Sequence, residues 1–117
     1  MRRCLILIFA TVSITAAQTP KLPPGFAARL ASLEQARQAR PNDIQILDAL
    51  SGSYAMAAEY RKAIAVLQQL RTLNPEDGGI GLRLARNHAW AGDTKRAIAE
   101  YNTYLRAAPH DRLSPGE

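Results

Sequence analysis

Cysteine is almost missing from this chain of 117 residues: the single thiol, Cys4, sits just ahead of an apolar run near the start. A disulfide framework and a cysteine-ligated metal are therefore excluded. Histidine is nearly as scarce. His88 and His110 stand alone, with no second histidine or cysteine at a metal-ligand spacing. No glycine-rich phosphate loop, nucleophile elbow or paired-acid constellation occurs, and Glu59 and Glu100 are isolated carboxylates on otherwise polar stretches. The sequence thus predicts no catalytic residue, no cofactor and no metal site. A long hydrophobic run is also lacking: the apolar stretch of residues 4–14 falls short of the ~20 residues a membrane-spanning helix needs.

What that short run does fit is a secretory signal. Arg2 and Arg3 precede it and Thr15, Ala16 and Ala17 follow it, giving a basic start, an apolar middle and a small-residue cleavage site. Cleavage is expected after Ala17, leaving an exported, periplasmic chain that begins at Gln18; an uncleaved segment would instead make a membrane-anchored protein. Cys4 lies ahead of the apolar run and so does not resemble a lipidated cysteine at a cleavage site. Loss of Arg2 and Arg3 lowers Lys plus Arg from 15 to 13 against 10 Asp plus Glu, a net charge of about +3. Spread along the chain, that charge does not point to nucleic acid.

What is abundant is regularity. Pro41, Pro75 and Pro109 stand at intervals of 34, and the same interval separates Leu50 from Leu84, Ala63 from Ala97, Ile64 from Ile98 and Leu67 from Tyr101. A fixed register of this length is the mark of a two-helix unit used repeatedly. Residues 18–25, with Pro20, Pro23 and Pro24, read as an extended linker. Apolar residues then recur at helical spacing in five segments: Phe26, Leu30, Leu33 and Ala36 before Pro41; Ile44, Leu47, Leu50, Tyr54 and Ala58; Ala63, Ile64, Leu67 and Leu70; residues 79–91; and residues 94–107. Asn42, Asp43 and Asp93 are suited to cap helix starts, and Gly92 to end a helix in a left-handed conformation. Gly78, Gly79 and Gly81 predict a turn that frays or is approached closely by a neighbouring backbone. Residues 112–117 read as a polar tail.

Two segments carry a family pattern. The first reads Leu47-x2-Leu50-Ser51-x2-Tyr54, then Ala63-x3-Leu67, then Pro75; the second reads Gly81-x2-Leu84-Ala85-x2-His88, then Ala97-x3-Tyr101, then Pro109. This resembles the tetratricopeptide repeat. The resemblance implies an all-α fold, a short solenoid of antiparallel helix pairs over residues 26–109. It would consist of a leading half-repeat (26–41) and two repeats (44–77 and 78–111). Ser51, Ala63, Ala85 and Ala97 would let the helices approach, with larger residues filling between. Gly81 and His88 depart from the pattern, standing where it has a large aromatic and a tyrosine. The stretch Leu84-Ala85-Arg86, Ala89-Trp90-Ala91-Gly92 and Ala97-Ile98-Ala99-Glu100-Tyr101 is further similar to periplasmic tetratricopeptide segments of bacterial exopolysaccharide and cellulose export systems.

The family resemblance implies a non-catalytic module that binds a protein or peptide in a concave groove lined by the first helix of each repeat. In this sequence those positions are Gln45, Asp48, Gly52, Ala55, Met56, Leu82, Arg86, Ala89 and Trp90. The family's carboxylate clamp is not matched, because Asp48 and Gly52 replace basic and amide residues. Trp90 either faces the groove with Arg86 one turn away, or packs against the preceding repeat to replace the volume missing at Gly81. His88 is expected in the core; an enzyme built on it and nearby carboxylates is the less favoured alternative. Arg61, Lys62, Lys95 and Arg96 read as a solvated convex stripe. No amphipathic cap follows Pro109, so Ile98 and Leu105 are expected to face solvent, open to self-association with a second copy.

Overall fold

The computed structural model describes residues 21–107; the expected signal segment and its cleavage site, Pro109, His110 and the polar tail lie outside the described residues. Five helices follow one another: α1 (Phe26–Ala39), α2 (Ile44–Met56), α3 (Tyr60–Leu73), α4 (Gly78–Trp90) and α5 (Thr94–Ala107). Among the described residues there is no strand, and no helix is long and apolar enough to cross a membrane. The chain is the all-α helical solenoid its period implied.

Punctuation by proline and aspartate explains where the helices stop and start. Arg40 (φ −137°, ψ 77°) and Asn74 (φ −140°, ψ 71°) end α1 and α3. Each precedes a proline, whose ring drives the residue before it out of the helical region. Asp43 then caps α2, its carboxylate accepting from the Gln45 and Ile46 amides at 2.9 and 3.2 Å. Asp77 caps α4 through the Gly79 amide at 2.9 Å. Asp93 accepts from the Arg96 amide at 3.2 Å at the start of α5. These bonds satisfy backbone donors that a helix start leaves free.

The turns inside each helix pair share one backbone device. After α2, Ala58 lies at φ 59°, its amide donates to the Ala55 carbonyl at 3.0 Å, and the Glu59 amide donates to Tyr54 at 2.8 Å. After α4, Gly92 lies at φ 86°, with Gly92 to Ala89 at 3.1 Å and Asp93 to His88 at 2.8 Å. Both are Schellman caps, which satisfy the last carbonyls of a helix.

Packing runs along the chain: α1 against α2, α2 against α3, α3 against α4, α4 against α5. Leu47, Leu50, Leu67 and Leu84 are wholly buried, and Ile46, Tyr54, Val66, Leu70 and Ile80 join them in one core. Leu30, Leu33 and Ala36 of α1 cover its near end. Each large apolar side chain taken out of water contributes roughly 1.5–3 kcal/mol. Ser51, Ala63, Ala85 and Ala97, the small residues, are all buried where helices meet. Arg37 donates to Gln69 Oε1 at 2.8 Å, and Gln69 donates to the Pro41 carbonyl at 2.7 Å, so α3 also holds the α1–α2 turn.

Three expectations are corrected. Ile44 is 46 % exposed and Ala58 lies outside α2. Because α2 is packed by α1 on one side and α3 on the other, Ile46 and Leu47 share the buried face instead. The glycine cluster does not interrupt the chain: α4 begins at Gly78 under the Asp77 cap, and no neighbouring backbone comes within 4 Å of where a Cβ would stand on Gly78, Gly79 or Gly81. The volume missing at Gly81 is not filled by Trp90, which is 56 % exposed; the nearest atom to a Cβ there is Glu100 Oε2 of α5, at 4.0 Å.

Candidate functional site

The two first helices, α2 and α4, enclose a recess of about 160 Å³. It gathers Gly52, Ala55, Arg86 and Trp90 from the expected groove, and adds Ser51, Arg83 and Asn87. Asp48 stands at its rim, exposed and paired with Arg83. Gln45, Met56, Leu82 and Ala89 do not line this recess; Gln45 and Met56 lie at opposite ends of α2, about 16 Å apart by helix rise. Met56 is 53 % exposed, Gln45 and Ala89 are exposed and Leu82 is half-buried.

Arg83 links the helices. Its guanidinium donates to the Asp48 carboxylate and to Ser51 Oγ, and reaches the Asp48 carbonyl at 3.4 Å. Ser51 in turn donates to that same carbonyl at 2.8 Å. The sequence carries no periodic signal for Arg83, which stands in register with Ala49. Arg86, by contrast, makes no ion pair or side-chain hydrogen bond among the described residues.

Asn87 forms the floor. It is buried, its amide nitrogen donates to the Arg83 carbonyl one turn back at 2.8 Å, and its Oδ1 has no partner among the described residues. A buried acceptor left unmatched is costly, so one beneath a polar recess is a notable exception.

A larger recess, about 420 Å³, opens beside the groove at the edge of the solenoid. The α2–α3 turn and the first turn of α3 supply Ala58, Glu59, Tyr60, Arg61 and Lys62, and the end of α4 supplies Trp90 and Ala91. Trp90 packs on Tyr60 with ring centroids 5.5 Å apart and planes inclined at 39°. It therefore walls both recesses. Lys62 donates to Glu59 at 2.9 Å and lies 5.6 Å from the centre of the Tyr54 ring. The hydrogen bond to Glu59, and then that carboxylate's charge, hold the lysine above the usual ammonium range. Arg61 and Lys62, expected on a convex stripe, are exposed like Lys95 and Arg96, and they border this recess.

His88 is buried in the core position expected for it. Among the described residues no three His, Cys, Asp or Glu side chains are placed to share a metal ion.

The tetratricopeptide repeat family matches residues 54–113, just over half of the chain. A tandem of helix pairs in 34-residue register, with short residues at the crossings, is what that family consists of, and the chain belongs to it. Its repeats are protein–protein interaction modules and are typically non-catalytic. No curated protein matches the chain.

Proposed function

We propose that this protein is an exported adaptor of the bacterial envelope that holds a segment of a partner protein in the groove between α2 and α4. The observation that carries this reading is Trp90. It is 56 % exposed one turn from Arg86, which has no ion pair among the described residues, so the two offer a partner an aromatic face beside a guanidinium. Tryptophan and arginine are also the residues that dominate binding energy at interfaces. The signal-like segment of residues 1–17 supports export, and the similarity of residues 84–101 to exopolysaccharide export segments supports a place beside such a system.

Envelope extracts passed over the mature chain and over its Arg86→Ala and Trp90→Ala variants test the groove. Partners recovered by the native chain should be lost from both variants, whose helical circular dichroism should stay unchanged; equal recovery would remove the groove from consideration. N-terminal sequencing of exported protein should begin at Gln18.

A second reading rests on α5. Ile98 and Leu105 are 54 % and 50 % exposed on the helix that closes the described solenoid, which favours stacking with a second copy. Sedimentation at several concentrations decides it: a strict monomer throughout rules stacking out.

A further inference from the structure

The edge recess lies outside the groove, and its chemistry differs. We infer that it is a separate docking site for a short acidic peptide segment bearing one aromatic side chain, which inserts between Ala58 and Trp90 while a flanking carboxylate pairs with Arg61.

Charge complementarity sets the sign of the ligand. The recess contains one carboxylate, Glu59, and that is already matched by Lys62 at 2.9 Å. Arg61 is exposed and has no ion pair or side-chain hydrogen bond among the described residues. The site therefore presents one uncompensated guanidinium, whose flat fork suits a carboxylate.

Shape sets the anchor. Tyr60 and Trp90 pack on each other at 39°, and Trp90 with Ala58 and Ala91 gives the recess an apolar side on which an aromatic ring can lie. No amide or small hydroxyl side chain lines the recess to read sugar hydroxyls. A volume of about 420 Å³ lies within the usual range for small-ligand sites, roughly 300–1,000 Å³, and accommodates a single large side chain with room at its edge. Aromatic rings meeting at a tilt gain more than their buried area alone provides.

Backbone strain supplies an independent pointer. The Schellman cap after α4 uses glycine at its left-handed position, whereas the one after α2 uses Ala58, whose Cβ disfavours φ 59°. That methyl is part of the recess wall. Strain of this kind tends to persist where it shapes a ligand site.

Trp90 is the single tryptophan of the chain and walls both recesses, so its emission reports binding at either one and the Arg61 and Arg86 variants tell them apart. The test titrates the mature protein with the acetylated, amidated pentapeptide Glu-Glu-Phe-Glu-Glu and follows that emission. A saturable change is expected, weakened by salt. Serine in place of phenylalanine in the peptide should lower affinity about tenfold or more. Arg61→Ala should lower it about two- to fivefold, and Arg86→Ala should leave it unchanged. Because Arg61 is exposed, its variant should keep the native urea midpoint. Equal binding of the lysine analogue of the peptide, or an unchanged affinity in Arg61→Ala, would overturn the inference. So would saturation by uronic acid oligosaccharides without any by the peptide. Loss of affinity in Arg86→Ala alone would assign the peptide to the groove, which sinks the edge site and leaves the groove reading standing.

Discussion

Arg71 of α3 holds Glu100 of α5 through both carboxylate oxygens, at 2.9 and 2.8 Å. The pair joins the second helices of successive units, and its carboxylate lies beside Gly81, where the family pattern has a large aromatic. A charged bridge thus stands where apolar bulk would otherwise tie the two repeats together. The Glu100 side chain is only 18 % exposed and that of Arg71 43 %, so the pair is worth more than an ordinary surface contact but is still screened. Glu100→Gln should destabilise the chain by about 1 kcal/mol, which lowers the melting temperature of a domain this size by roughly 4–8 °C. Scanning calorimetry of Glu100→Gln, Arg71→Met and the double variant checks it. Additive losses would show that the two side chains do not act together.

The paired turns give opposite expectations at equivalent positions. Ala58→Gly removes a left-handed Cβ and should raise stability by about 0.5–1 kcal/mol, the relief of strain exceeding the entropy glycine adds to the unfolded chain. Gly92→Ala should lower it by about 1 kcal/mol. No atom lies within 4 Å of the Cβ at Gly92, so that loss would come from the backbone and not from a collision. Urea midpoints, with unchanged slopes, are the measurement; shifts of the same sign at both sites would contradict the assignment.

The equivalence of Ala58 and Gly92 was present in the 34-residue register, as were the helix number and the burial of Ser51, Ala63, Ala85 and Ala97. Those features repeat, and repetition is visible in one dimension. The features that do not repeat were harder to see. Glu100 stands in register with Val66, and Arg83 with Ala49, so neither charge announces its partner by periodicity. Trp90 fits either groove or core on sequence, because a helical position fixes direction but not what the neighbouring turn leaves uncovered. The edge recess needed the α2–α3 turn to be placed against the end of α4, and no spacing rule supplies that.

Tyr54 gives a pH dependence. Burial, and then the carboxylate of Glu34, push its hydroxyl above the ordinary tyrosine value of 10.0; Lys62 and Arg37 oppose this more weakly. In the unfolded chain the tyrosine loses its proton near its ordinary value, while in the folded chain it is still protonated there. Its contribution is therefore complete below pH 10 and is lost as pH rises through the folded value. Lys62, also raised, acts in the same direction. Tyr54→Phe should flatten the fall of stability above pH 10 relative to the native chain. Chemical denaturation at pH 8 to 11 tests it, and parallel curves would show that Tyr54 does not titrate differently on folding.

Asn87 sets stability against binding. Its amide nitrogen bonds the Arg83 carbonyl, but its Oδ1 is buried without a partner among the described residues. Replacing it by the similarly shaped Leu removes a desolvated acceptor that contributes nothing to the free fold, and the freed Arg83 carbonyl keeps its intrahelical partner. Asn87→Leu should thus stabilise the chain by about 1 kcal/mol. The same change turns the floor of the groove recess apolar, so a partner held in the groove should bind more weakly to a more stable protein. Urea denaturation and binding to the captured partner measure the two effects separately. A variant that is less stable than the native chain would mean that the Asn87 oxygen finds a partner, such as water, in solution.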